Sequence, residues 1–177
     1  MQAGFTISLC MPWDGRCLHK VLHASWVDAY GPIIGAAVAE RSVARLSANR
    51  LAWSAFLSLM GRGRMLKACI DGAPVGLAMA LGEGKDIILY MLYVHPSHAR
   101  RGIGQALLTA IEAWRPRARA IRLEVLEDNR PAIAWYARRG FEAYGRTEHA
   151  TGTVGVPAIY MDKPLSGRTA RASPASA

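Results

Sequence analysis

The sequence predicts a mixed α/β (α+β) domain on a central sheet that is mostly antiparallel but holds one parallel strand pair. Three observations lead there. Residues 64–70 and 74–81 are strand-like runs on either side of Asp71-Gly72, a hairpin turn signal. Ile87 to Val94 is almost wholly apolar, as expected of a strand covered on both faces. From Ile103 to Trp114 the apolar residues switch to helical spacing, and residues 120–126 return to a strand pattern. Strand, helix and strand in that order make a parallel pair joined by a right-handed crossover.

The remaining elements follow in order. Phe5 to Leu9 forms a short first strand, which Pro12 ends. Asp14 is placed to cap a helix that runs to about Tyr30, with Leu18, Leu22, Trp26 and Ala29 on one stripe. Gly31-Pro32 is expected to stop it. A second helical region spans about 35–60, in two pieces, with Trp53, Phe56, Leu57 and Met60 at i, i+3, i+4 and i+7. In the strand at 74–81, large residues alternate with Gly76, Ala78 and Ala80, and the small face invites a helix to approach closely. Pro116 stops the helix that begins at Ile103. Pro131 sits in the first turn of the next helix, and Arg138-Arg139-Gly140 closes it. Residues 141–148 and 156–163 give the final strands. The domain is expected to cover 1–164, with 165–177, rich in Ser, Ala, Arg and Pro, as a disordered tail.

A chain of 177 residues, 51% apolar and 20% charged, suits one globular domain. It has no apolar run long enough to span a membrane and no signal-peptide pattern at its start. Cys10, Cys17 and Cys69 read as reduced thiols of a cytoplasmic protein. His19 and His23 have a metal-compatible spacing but no third ligand near them in sequence, so no metal is expected. The net charge of +9 is spread along the chain without a Lys/Arg run interleaved with aromatics. That argues for an anionic small molecule over nucleic acid.

Two segments carry the chemistry. The first is Leu92-Tyr93-Val94-His95-Pro96, followed by Ala99-Arg100-Arg101-Gly102-Ile103-Gly104-Gln105. It reads as a strand end, a basic turn and a helix start. Glycines let backbone approach a ligand, the first N–H groups of the helix lack internal partners, and the helix dipole favours an anion there. Together they suit a phosphate group. The second segment is Leu123-Glu124-Val125, then Asn129, Ala132, Tyr136 and Gly140-Phe141. Asn129 can cap the helix, Tyr136 can be a core tyrosine, and Glu124 can pair with Arg122.

The two segments together resemble the paired signatures of the GNAT-type N-acetyltransferases, in the family's order. Ala99 departs from the pattern, which has Arg or Gln there. The resemblance implies a GNAT fold, with the parallel pair splayed apart and helices on both faces. It also implies acetyl-CoA as cosubstrate. Leu92, Tyr93 and Val94 would pair with the pantetheine arm, residues 99–105 would bind the pyrophosphate, and Asn129 and Tyr136 would also contact the cofactor. Tyr136 would be the general acid and Glu124 a candidate base, with Glu83 and Asp86 as rivals. The separation of Glu124 and Tyr136 matches that of the acid–base pair in the ribosomal-protein alanine acetyltransferases, which this segment is similar to. Trp26 and Tyr30 would border the acceptor.

The activity implied is acetyl transfer to an amine of a small molecule or a peptide N-terminus. The alternatives are a CoA-binding sensor without turnover and a basic nucleic-acid-binding protein. The expected partners are acetyl-CoA and an amine acceptor, with no membrane, and a homodimer stays open.

Overall fold

A computed structural model describes residues 4–150 and 156–165. The strands are β1 (Thr6–Leu9), β2 (Arg64–Ile70), β3 (Ala73–Glu83), β4 (Asp86–Val94), β5 (Ala120–Leu126), β6 (Glu142–Thr147) and β7 (Ala158–Pro164). The helices are α1 (Gly15–Ile34), α2 (Ala36–Ala44), α3 (Ala48–Leu59), α4 (Ile103–Glu112) and α5 (Arg130–Ala137). The seven strands form one sheet in the order β1-β2-β3-β4-β5-β7-β6. Every neighbouring pair is antiparallel except β4 with β5. Of the expected tail, residues 166–177 lie outside the described residues.

The turn between β2 and β3 is the one its residues demand: Asp71 and Gly72 both take positive φ, 48° and 78°. From Gly76 onward, strand alternation sends small and large residues of β3 to opposite faces, while Val75, the extra residue at the Ala68/Cys69 irregularity, packs with the small ones. Ala78 and Ala80 join the core under α4, while Leu77 joins the core under α1 and α3. A Cβ at Gly76 would stand 3.1 Å from Ile103 and 3.2 Å from Leu107, so the small face is where α4 seats. Helices therefore cover both faces of the sheet.

Four local expectations are corrected. Pro32 does not end α1, which continues to Ile34 and stops at Gly35 with φ 85°. Gly31 has no Cβ to clash with the proline ring, and a proline this late removes only one helical bond. Asp14 stands at the N-cap of α1, but its carboxylate does not cap. It accepts the Met11 N–H at 2.8 Å and pairs with Lys67 at 2.6 Å. The stripe of Trp53, Phe56, Leu57 and Met60 faces outward, with Trp53 and Met60 each 65% exposed. Leu51 and Ala55 are the buried apolar residues of α3. Finally, α4 closes at Glu112 rather than Arg115. The Arg115 guanidinium instead donates to the carbonyls of Gly84 and Asp86, at 3.2 and 3.1 Å, clamping the turn before β4.

The close seat of α4 sets an expected outcome. Gly76→Val should lower the unfolding free energy by about 1–3 kcal/mol, the usual cost of overpacking. The added carbons meet two core side chains and, at 3.3 Å, the Tyr93 carbonyl oxygen. Urea denaturation reads this directly, and an unchanged midpoint would show that α4 does not lie so close.

Candidate active site

The site begins with a fault in the sheet. Along β3 and β4, Ala80 faces Leu89 but Met79 faces Met91, so Tyr90 is an extra residue in β4. Such a bulge bends its strand and breaks the ladder. The parallel pairing of β4 with β5 spans only Ile87–Leu89 and Ile121–Leu123. Beyond it the strands continue to Val94 and Leu126 without pairing, and a gap opens between them. Leu92 and Val94 face Ala78 and Gly76 of β3. Antiparallel strands alternate in the direction of their backbone groups, so other groups of β4 point into the gap. The Ser25 hydroxyl of α1 lies 2.9 Å from the Val94 oxygen and holds the strand end.

Two cavities meet at the gap. One, of about 170 Å³, is lined by Leu89 to Tyr93, Leu123 to Val125, Asn129, Ala132, Tyr136, Ala29 and Tyr30. The other, of about 370 Å³, includes Trp26, Tyr30, Tyr93 and Glu124. Tyr30, Tyr93 and Glu124 belong to both walls. Glu124 alternates with Leu123 and Val125, which point into the α4-side core, so its carboxylate lies on the α1 side. Tyr136 lines the smaller cavity from α5, with its ring 5.3 Å from that of Phe141. The gap thus places Glu124 and Tyr136 on one cavity from two faces of the sheet.

The phenols at the gap share an electrostatic pattern. Burial pushes Tyr136 well above the ordinary tyrosine range; proximity to Tyr30 adds to the rise and Arg139 partly offsets it. Burial likewise raises Tyr30 and Tyr93, which stand close enough to influence one another. Trp26 packs edge-on against Tyr30, with ring centroids 4.7 Å apart. All three phenols therefore keep their protons at neutral pH.

The turn into α4 is the segment expected to cradle phosphate. Arg100 and Gly102 both take left-handed backbone, φ 59° and 81°. Ala106 makes the first helical bond, to the Gly102 carbonyl, so the N–H groups of Ile103, Gly104 and Gln105 lack a partner within the helix. The Ile103 side chain is buried in the core, which leaves only its backbone for a ligand. Ala99 is exposed and extended, and Arg100 and Arg101 are exposed beside it. A Cβ at Gly104 would lie 3.4 Å from Trp135 and 3.7 Å from Val94, so the cradle adjoins the end of β4. The residues present fit an acyl-CoA: an opened strand edge for an extended arm, and bare N–H groups with cations for phosphates.

Asn129 caps its helix from a place on the cavity wall. Its Oδ1 accepts the Ala132 N–H at 3.2 Å, capping α5, and the residue lines the smaller cavity. Arg122 pairs with Asp86 at 2.9 Å. That engages Asp86, a rival base, while Glu83 lines the larger cavity. Three features escaped the sequence reading. Tyr90 forms the bulge, Tyr144 and Tyr160 join the larger cavity, and Arg139 stacks on Trp135 at 3.6 Å, close to Gly104. The signal available was partial: Tyr90 stands in the otherwise apolar β4, whereas Tyr144 and Tyr160 stand in strands that also carry charged residues.

Among the described residues there is no group of three or more side chains able to hold a metal, and no helix long and apolar enough to cross a membrane.

Comparison with known proteins agrees with this geometry. Residues 24–141 match the model of the Acetyltransferase (GNAT) family. A curated relative, the peptidyl-lysine N-acetyltransferase YiaC of Escherichia coli, is 37% identical over 71 residues. The match covers 40% of this chain and 44% of the relative, so the chain spans less than half the length of that protein. The crystal structure of PaiA N-acetyltransferase from Thermoplasma acidophilum, in complex with coenzyme A, superposes with a TM-score of 0.80. It covers 92% of this chain and 99% of that one at 22% identity. The ribosomal-protein-alanine N-acetyltransferase of Brucella melitensis has the same fold, with a TM-score of 0.70 at 18% identity over 90% and 99% of the two chains. With the family model matching well over half its length, and the bulged, splayed sheet beside a Gly-x-Gly helix start, this chain belongs to the GNAT acetyltransferase family.

Proposed function

We propose that the protein is an acetyl-CoA-dependent N-acetyltransferase, carried by one domain over residues 1–164, that acts on an amine of a small molecule or a peptide. The observation that carries this reading is the gap between β4 and β5, with a cavity on either side of it and the α4 cradle at one end. The family's proteins named above are N-acetyltransferases, and one is described in complex with coenzyme A. Three free cysteines, one of them buried, support work in a reducing compartment such as the cytoplasm.

Bound acetyl-CoA supplies the activated acyl group. The chain's residues do the rest. Backbone N–H groups of 102–105, with Arg100 and Arg101, hold the phosphates, and β4 lines the arm. Glu124 stands on the α1 side of the gap, where it can take a proton from an arriving ammonium, whose ordinary pKa is near ~10. Tyr136 stands on the α5 side. Its raised pKa keeps the proton in place, so its hydroxyl serves as a donor toward departing sulfur and not as a base.

Three outcomes are expected. Acetyl-CoA at a hundredfold excess over its dissociation constant should stabilise the fold by about 2.7 kcal/mol, read as a thermal shift. No shift with acetyl-CoA or CoA would sink the reading. Stabilisation without thiol release across an amine panel would assign a CoA-responsive module instead.

Gly104→Val should weaken CoA binding at least about tenfold, the equivalent of one charged hydrogen bond. Its melting temperature should change little, because a Cβ there makes only ordinary contacts. Calorimetric titration of CoA would show otherwise if the cradle is elsewhere.

Tyr136→Phe should lower kcat by about 10² to 10⁴-fold with CoA affinity nearly unchanged, since the hydroxyl acts only as the bond breaks. Because its pKa is raised, the wild type should show no loss of kcat from this group below about pH 10. Glu124→Gln should lower kcat by up to about 10² to 10⁴-fold with CoA affinity nearly unchanged. A variant Tyr136→Phe that melts early but turns over normally would make Tyr136 a packing residue.

A further inference from the structure

The chain has six tyrosines, and all of them gather at the two cavities. Tyr136 lines the smaller one; Tyr30, Tyr90, Tyr93, Tyr144 and Tyr160 line the larger, together with Trp26. They come from α1, β4, α5, β6 and β7, so no local pattern groups them. Tyr30 and Tyr93 form the deep end, beside Glu124. Tyr90 and Tyr144 are 49% and 39% exposed and form the mouth. The Tyr144 ring stacks on that of Tyr160, at 5.9 Å and 26°.

The charge of this wall runs against that of the whole chain. Glu83 and Glu124 contribute carboxyl groups. The basic residue of the wall is Arg122, and it is already engaged: its guanidinium is 2.9 Å from the Asp86 carboxylate and lies 5.9 Å above the Tyr144 ring. In a protein of net charge +9, this wall thus carries two carboxyl groups beside one engaged guanidinium. Aromatic faces attract cations through the ring quadrupole, and more strongly where water is excluded. Among the described residues of the wall, a carboxylate on the incoming molecule would meet two carboxyl groups and one guanidinium that is already paired.

We propose that the larger cavity is an aromatic cage for a small primary amine with an apolar, aryl-sized body and no carboxylate. The ammonium enters toward Glu124 and the Tyr30–Tyr93 pair, and the apolar body rests on Tyr90, Tyr144 and Tyr160. This assignment of acceptor class rests on the acetyltransferase reading above. The volume of about 370 Å³ is at the small end of ligand sites, which favours a free small molecule over a bulky one.

Phenethylamine and phenylalanine form the test pair, since they differ only by the carboxylate, with methylamine as the control lacking the apolar body. Thiol release from acetyl-CoA gives kcat/KM for each. Titration calorimetry on the protein–CoA complex gives binding apart from turnover, and the same titrations on the free protein cover failure of CoA to bind. Phenethylamine should exceed both phenylalanine and methylamine by about tenfold or more in kcat/KM and in affinity. Tyr144→Leu should raise the KM for phenethylamine about three- to thirtyfold, leaving kcat and CoA affinity near wild type. Equal use of phenylalanine, or no binding of phenethylamine while CoA binds normally, would overturn the cage and leave the acetyltransferase reading intact. Acetylation of an internal lysine in a peptide with phenethylamine unreactive would overturn it as well. Failure of CoA itself to bind would overturn the acetyltransferase reading; the amine titrations on the free protein would then decide the cage.

Discussion

One extra residue in β4 shapes the whole site. A regular parallel pair would close over its full length, with every backbone group of β4 answered by β3 or β5. The bulge at Tyr90 ends that agreement, and pairing with β5 stops at Leu89 and Leu123. Unanswered backbone groups in a sheet interior are costly unless solvent or a ligand takes them. The gap is therefore a structural demand as well as an opening, and an extended molecule with amide groups is the occupant it suits.

The surroundings hold that opening in place. Helix α4 seats closely on the small face of β3, against Gly76 and Ala78, and brings its bare N–H groups to one end of the gap. Helix α1 covers the other face, and its Ser25 grips the Val94 carbonyl. The Arg115 clamp on the turn at Gly84 secures the paired end. Opened at one end and pinned at the other, the two strands form a wedge. The wedge also explains the tyrosines. Phenols line a half-wet cleft well because each combines a large apolar ring with a polar hydroxyl.

The outward stripe on α3 shows how far periodicity reaches. Trp53, Phe56, Leu57 and Met60 have helical spacing, and the helix is there. Yet the face turned inward is the narrower one of Leu51, Ala55 and Ser58, where the Ser58 hydroxyl accepts the Met65 N–H at 2.8 Å. A Cβ at Gly15 would meet the Ala48 backbone, so α3 starts in tight contact with α1, and small residues are what that contact admits. Spacing announces a helix; the partner's shape selects the buried face.

The sequence by itself determined the order of elements, the Asp71-Gly72 hairpin, the glycine-bearing turn into α4 and the Asn129 cap. Each of these depends on neighbours a few positions apart, where turn geometry, capping and period act directly. Tertiary structure alone decided that Tyr90 bulges, that Arg122 pairs with Asp86, and that Tyr144 and Tyr160 join Trp26 and Tyr30 on one cavity wall. These depend on register between strands far apart in the chain. A shift of one residue there turns every following side chain to the other face, and nothing local in the sequence reports it.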